Sequence, residues 1–334
     1  MVNELIDTKI NCGNEQKKCN FRIVYMGTPD FAAKILQKMI EAGVNIVGVV
    51  TAPDKPAGRG QKLKQSEVKE IALQHGIKVL QPEKLKDMLF IDELKRLSPD
   101  LQVVVAFRML PEIVWNLPPK GTFNLHASLL PQYRGAAPIN HVIINGEKET
   151  GLTTFFLNNE IDTGNIIFSE KIEISPEETA GTLHNKLIPL GAELILKTIN
   201  AIEDCTVKPI PQPQFTESEL KKAPKIFKED CRIDWNMQAN EIINKIRGLS
   251  PFPTAFYEFS DSKGNIKRIK IFLALKSDTY DLNPGEILSD GKKFLKVGTK
   301  SNDIELIEIQ SEGKKRMRVD EFLRGNIFTQ ESSS

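Results

Sequence analysis

The 334-residue sequence predicts a doubly wound α/β domain with a mostly parallel sheet, followed by a small β-barrel domain. Three observations predict it. Short apolar runs alternate with helix-period segments through the first two hundred or so residues, about the rhythm of repeated βαβ units. The run Leu101–Phe107 (LQVVVAF) is apolar but for Gln102, as expected of a strand buried on both faces. After a proline-rich stretch, the pattern changes to short strand-like runs separated by glycine and asparagine turns.

Taken in order, Phe21–Met26 is an apolar strand ending at Gly27. Pro29–Ala42 places Phe31, Ile35, Leu36, Met39 and Ile40 at helical spacing, and Gly43 stops it. The turn Gly27-Thr28-Pro29-Asp30 lacks the G-x-G-x-x-G of a nicotinamide site, and its proline suits a helix start. Asn45–Thr51 is the next strand, Ser66–His75 a helix, Gly76–Leu80 a strand and Glu83–Leu97 a helix. Gly121–His126 and Leu152–Leu157 are further strands, with a helix from about Pro138 between them. Ile166–Ile174 closes a hairpin on the sheet edge. A long helix over Ala180–Ile202 ends the domain, with a kink expected at Pro189. Lys208–Pro224 holds four prolines and reads as a semi-extended linker. Beyond it come a short helix at Asn240–Arg247 and strands at Thr254–Phe259, Ile266–Leu275, Gly285–Leu288, Phe294–Val297 and Ile304–Ile309. The expected divisions are a flexible tail over 1–20, an α/β domain over 21–207, a linker over 208–226 and a barrel domain over 227–330.

Composition narrows the function classes. Lys plus Arg is 45 and Asp plus Glu 44, a net charge of +1, so any polyanion site must come from clustered rather than total charge. Cys12, Cys19, Cys205 and Cys231 have neither metal-ligand spacing nor disulfide density, which suggests reduced thiols, a cytoplasmic location and no metal. No apolar run reaches membrane-spanning length, and the polar first segment lacks a signal peptide's apolar core. No membrane contact is expected, and a monomer is the expected state.

The most informative stretch is Thr122–Pro138, TFNLHASLLPQYRGAAP. Residues two apart on a strand share a face, so the Asn124 amide and His126 imidazole aim at one point. A loop fixed by Pro131, Gly135 and Pro138 follows, and a polar pair at a strand end beside an ordered loop is how open α/β sheets build ligand sites. The other histidines, His75, His141 and His184, read as structural.

N-x-H followed by S-L-L-P-x-x-R-G-A-A-P, with the downstream turn Asp162-Thr163-Gly164, resembles the signature of the formyltetrahydrofolate-dependent formyltransferases. The resemblance runs from about Phe21 to Arg324 and includes R-I-D-W (Arg232–Trp235) and R-G-L-S-P-F-P (Arg247–Pro253). It implies a Rossmann-like catalytic domain, an OB-like C-terminal barrel that binds tRNA, and 10-formyltetrahydrofolate as co-substrate. Formyl transfer to an amine passes through a tetrahedral oxyanion. It needs placed donors, a neutral attacking amine and a proton for the leaving nitrogen. Asn124 and His126 are the expected oxyanion donors, and Asp162 is expected to steer the protons. The resemblance makes Ser128, Leu129, Leu130 and Pro131 a tetrahydrofolate-contacting turn. Ala106–Pro111 (AFRMLP) departs from the family's usual A-Y-G…I-L-P at the other expected pterin wall, with Arg108 where glycine is usual.

The acceptor is read from Pro53–Lys64, PDKPAGRGQKLK. P-D-x-P-A-G-R-G is similar to the insertion loop by which family members acting on initiator methionyl-tRNA grip the acceptor end. Arg59 is the expected tRNA contact, with Lys55, Lys62 and Lys64 available to phosphates. Clusters at Lys221, Lys222, Lys225 and Lys228, and at Lys314, Lys315, Arg316 and Arg318, are consistent with RNA. The alternatives are formyl transfer to an amino-sugar nucleotide, against which the Arg59 loop argues, and a noncatalytic RNA-binding protein, against which the intact Asn124, His126 and Asp162 argue.

Overall fold

A computed structural model describes residues 21–57, 62–260 and 266–324. The expected tail, Arg59 and the last residues of the expected barrel domain lie outside the described residues.

The α/β domain opens with β1 (Ile23–Gly27), α1 (Asp30–Glu41) and β2 (Ile46–Val50), then a small hairpin of β3 (Lys55–Ala57) and β4 (Lys62–Lys64). It continues through α2 (Glu67–Gln74), β5 (Val79–Leu80), α3 (Met88–Arg96), β6 (Leu101–Val105), α4 (Glu112–Trp115) and β7 (Thr122–His126). Next come β8 (Arg134–Gly135), α5 (Pro138–Ile144), β9 (Glu149–Phe156), β10 (Ile166–Glu173) and α6 (Ala180–Glu203). The sheet has seven strands in the order β10-β9-β7-β6-β1-β2-β5. Strands β7, β6, β1, β2 and β5 are parallel, while β9 and β10 run antiparallel at one edge. Chain order reverses between β1 and β6, so a crevice opens at the carboxyl ends of those strands.

Alternation on β1 shows why the sheet is covered twice. Ile23 and Tyr25 join α1, α2 and α6 in one core, and Val24 and Met26 join α3 and α4 in another. Helix bounds follow capping rather than apolar content. Ser66 accepts from Lys69 N at 3.1 Å and starts α2. Asp87 accepts from Leu89 N at 2.9 Å, so α3 starts at Met88 and not at Glu83. Strand β6 stops at Val105 because Ala106 turns left-handed, φ 47°. The long helix α6 is capped by Thr179 and runs unbroken through Pro189.

Residues 208–224 are extended but stitched to the α/β domain. Ile210 and Ile166 exchange backbone hydrogen bonds of 2.9 and 2.8 Å, and β11 (Lys222–Ala223) pairs in parallel with β8. The C-terminal domain then carries α7 (Ala239–Leu249), β12 (Ala255–Ser260), β13 (Ile266–Lys276), β14 (Ile287–Ser289), β15 (Leu295–Val297) and β16 (Ile304–Ser311). They form an antiparallel sheet in the order β12-β13-β16-β15-β14. The chain adds β17 (Met317–Arg318) beside β16 and α8 (Val319–Arg324), both absent from the sequence reading. One hydrophobic cluster joins α7, α8 and the sheet. The two domains touch closely. Asn140 Nδ2 donates to Gly248 O at 2.8 Å, where a Cβ would lie 2.5 Å from Ile144. Arg247 donates to Glu178 O and Ser175 O at 2.9 Å each.

Candidate active site

A cavity of about 560 Å³ opens at the carboxyl ends of the parallel strands. Pro29 and Phe31 border it after β1, Ala106–Leu110 after β6, and Asn124–Ala127 at the end of β7. The loop between β9 and β10 closes one side with Asn158, Glu160, Ile161 and Asp162. Asn124 and His126 from β7 and Asp162 from the β9–β10 loop therefore meet around one space, as the period-2 pattern requires of the first two. The Asn124 side chain has no protein hydrogen bond among the described residues and is available to a ligand.

His126 is nearly buried, 6% exposed, and its Nε2 lies 2.8 Å from the Tyr133 carbonyl oxygen. A carbonyl only accepts, so Nε2 carries a hydrogen and the neutral ring keeps its lone pair on Nδ1. Nδ1 lies 3.8 Å from Asp162 Oδ2. The tautomer is thus set by a backbone carbonyl. Asp162 Oδ2 accepts from Gly135 N at 3.0 Å. Asp162 itself is left-handed, φ 55°. Gly164, two residues on, passes so close to Phe156 that a Cβ would sit 1.6 Å from its carbonyl oxygen. Only glycine permits this turn, which explains the third letter of D-T-G.

Ser128–Pro131 does not line the cavity. Ser128 is fully buried, its hydroxyl donates to Gln132 O at 2.6 Å, and Thr153 Oγ1 donates to Ser128 O at 2.7 Å. Leu130 and Pro131 are buried, with Leu130 in a small apolar cluster beside Phe155 and Ile166. These hydrogen bonds fold the turn back so that the Tyr133 carbonyl reaches His126. Apolar and backbone groups at the cavity come instead from Ala106, Phe107, Met109, Leu110, Trp115 and Leu157. Arg108 also borders it, but its guanidinium turns to the Pro82 and Glu83 carbonyls and lies 5.6 Å from the Phe107 ring centroid. It ties this wall to the segment before α3. Burial lowers its affinity for a proton.

A polar cluster supports the loop from below. The Tyr133 hydroxyl bonds to Glu147, Asn145 Nδ2 donates to that hydroxyl at 3.1 Å, and Lys221 pairs with Glu147. Burial pushes the Tyr133 phenol well up, and Glu147 adds to it. Burial opposes ionisation of Glu147, but Lys221 and Tyr133 together outweigh it and hold the carboxyl below its ordinary value.

The other histidines lie away from the cavity, with ring nitrogens 3.2 Å from Gln37 Oε1 (His75), 3.0 Å from Pro224 O (His141) and 3.9 Å from Asp30 Oδ2 (His184). The β3–β4 hairpin places Lys55 directly opposite Lys64, while Lys62 pairs with Ala57. Like charges facing across a hairpin oppose folding. Lys64 is partly relieved by Glu67 at 3.0 Å, which raises its ammonium's proton affinity. The other cationic runs are partly balanced: Lys222 pairs with Glu217, Arg316 with Glu308 and Arg318 with Asp320. That makes them weaker polyanion sites than the bare sequence implied. Among the described residues, no group of three or more His, Cys, Asp and Glu could hold a metal, and no helix is long and apolar enough to cross a membrane.

Residues 21–199 match the family described as Formyl transferase, and residues 225–326 the family described as Formyl transferase, C-terminal domain. The chain belongs to the formyl transferase family. It is 53% identical over 316 residues to methionyl-tRNA formyltransferase of Bacteroides fragilis, covering 94% of this chain and 98% of that protein. Among solved structures, HypX from Aquifex aeolicus in complex with tetrahydrofolic acid shares the fold at TM-score 0.61 and 18% identity, over 91% of this chain and 47% of that one. WlaRD, a sugar 3N-formyl transferase, matches at TM-score 0.61 and 21% identity, over 88% of this chain and 99% of its own. The two family matches fall on the two domains seen here, with the stitched segment between them.

Proposed function

We propose that this chain transfers the formyl group of 10-formyltetrahydrofolate to the free amino group of initiator methionyl-tRNA, giving N-formylmethionyl-tRNA. The observation that carries the reading is the meeting of Asn124, His126 and Asp162 around one cavity, in a chain 53% identical to a methionyl-tRNA formyltransferase over 94% of its length. The pterin enters between the segment after β6 and the loop after β9, and places its formyl carbon near the three groups.

The Tyr133 carbonyl occupies Nε2 and leaves the neutral ring a lone pair on Nδ1, so His126 serves as a proton acceptor and not as the oxyanion donor expected from the sequence. The amine attacks the formyl carbon, and its nitrogen gives up a proton to Nδ1. The imidazolium so formed is stabilised by the Asp162 carboxylate. Asn124 donates its amide N–H to the oxyanion. The Nδ1 proton then passes to N10 of the folate as the carbon–nitrogen bond breaks and the carbonyl reforms. No proton is lost from the sum: the amine's proton ends on tetrahydrofolate.

The acceptor end of the tRNA approaches past the β3–β4 hairpin, where Lys55, Lys62 and Lys64 neutralise phosphates and Arg59 reaches the RNA. A cytoplasmic monomer suits this role. The test mixes protein, 10-formyltetrahydrofolate and charged initiator tRNA and looks for N-formylmethionine. Its absence, or a preference for an amino-sugar nucleotide in the same assay, would overturn the reading.

A further inference from the structure

We propose that Gln212, in the segment between the two domains, is a positioning residue for Asp162, and that this segment is part of the active-site scaffold. The inference deepens the reading of Asp162 above and rests on it.

Both hydrogens of the Gln212 amide are used, and its oxygen accepts as well. Its Nε2 donates to the Asp162 carbonyl at 2.8 Å and to the Gly164 carbonyl at 2.9 Å, and its Oε1 accepts from Arg134 Nη2 at 2.6 Å. The two carbonyls flank Thr163, so one amide spans the turn that carries the carboxylate. That turn needs a hold, because a left-handed non-glycine residue persists only when its surroundings fix it. On its other side, Asn158 Oδ1 accepts from Glu160 N and Thr163 Oγ1 at 3.0 Å each. Gln212 completes the clamp from the interdomain segment.

Arg134 holds the other end of the Gln212 amide. Its Nε is buried with no protein hydrogen bond among the described residues, while Nη2 is given to the glutamine. The same interdomain segment reaches the site at two more points. Lys221 O accepts from Tyr133 N at 2.6 Å, which anchors the residue whose carbonyl sets the His126 tautomer. Ala223 pairs with Gly135, whose N–H holds Asp162; a Cβ on Gly135 would lie 2.4 Å from Ala223 O. Both ends of the His126–Asp162 pair are therefore set from outside the α/β sheet.

The test uses the full chain with Gln212→Glu and Gln212→Met. Both keep the side-chain volume and lose the two donors; the glutamate still meets Arg134. Misplacing a catalytic group without removing it costs on the order of a hundredfold in rate. Both variants should lose about that much kcat while KM for folate and tRNA changes little. In Gln212→Glu alone, the added negative charge beside Asp162 should move the acid limb of the kcat/KM profile to higher pH. Amide exchange in the peptide spanning the Asn158–Ile166 loop should quicken in both. Parent-like kcat and exchange would overturn the proposal, as would a loss of rate matched by loss of the whole thermal transition in both variants. An inactive parent would instead refute the proposed function, while exchange still reports whether Gln212 holds the turn.

Discussion

Replacing Asp162 by Asn removes the charge and keeps the shape, including an oxygen for the Gly135 N–H. The carboxylate lies 3.8 Å from His126 Nδ1, and both groups are largely shielded from solvent, with side chains 15% and 6% exposed. Coulomb's law at that separation, with an effective dielectric of about 20, gives about 4 kcal/mol of attraction for an imidazolium. Neutral His126 gains almost none of it. The carboxylate therefore favours the charged ring that forms after the amine gives up its proton, and that preference lowers the barrier. At about 1.4 kcal/mol per decade, the substitution should reduce kcat roughly a thousandfold. KM for the folate should change little, because the charge acts on the transition state and not on the bound pterin. Single-turnover formylation of methionyl-tRNA, with folded state checked by thermal melting, measures this. A loss of less than about tenfold in a folded protein would refute the assigned coupling between Asp162 and His126.

Three further outcomes are expected. Asn124→Ala should cost on the order of 10²–10³ in kcat, the usual loss for one placed oxyanion donor, read in the same assay. Lys55→Ala with Lys64→Ala should lower kcat/KM for tRNA and flatten its salt dependence, by a log–log slope of roughly two, while leaving folate binding unchanged. Glu147 is held below its ordinary value by Lys221 and Tyr133, so it adds stability at neutral pH that is lost as pH falls below 4.5. Glu147→Gln should therefore be less stable at pH 7 and lose less of its stability on acidification, followed by thermal melting across pH.

Much of this site was legible because its logic is periodic. Asn124 and His126 share a face by strand alternation alone, and Gly164 announces a turn that only glycine can make. Backbone atoms carry no such signal. The Tyr133 carbonyl and the Gly135 N–H decide how His126 and Asp162 stand, yet no residue type specifies them. The Ser128–Pro131 turn reads the same whether its leucines face a ligand or the core, and here Leu130 is buried beside Phe155 and Ile166 while Leu129 is half-buried. Gln212 lies in P-Q-P-Q, which looks like linker composition; its role comes from the pairing of Ile210 with Ile166 that lays the segment against the turn. Likewise, apolar content reported that β9 is buried but not that it runs antiparallel to β7. The start of α3 was set by the Asp87 cap, which outweighed the helical pattern beginning at Glu83.

A crystal structure of the protein with a non-hydrolysable formyl-folate analogue tests the central claim most directly. The account requires the pterin in the cavity after β6, with the formyl oxygen within hydrogen-bond reach of Asn124 Nδ2 and the formyl carbon facing His126 Nδ1. A folate bound elsewhere, or one whose formyl group points away from Asn124, His126 and Asp162, would contradict it.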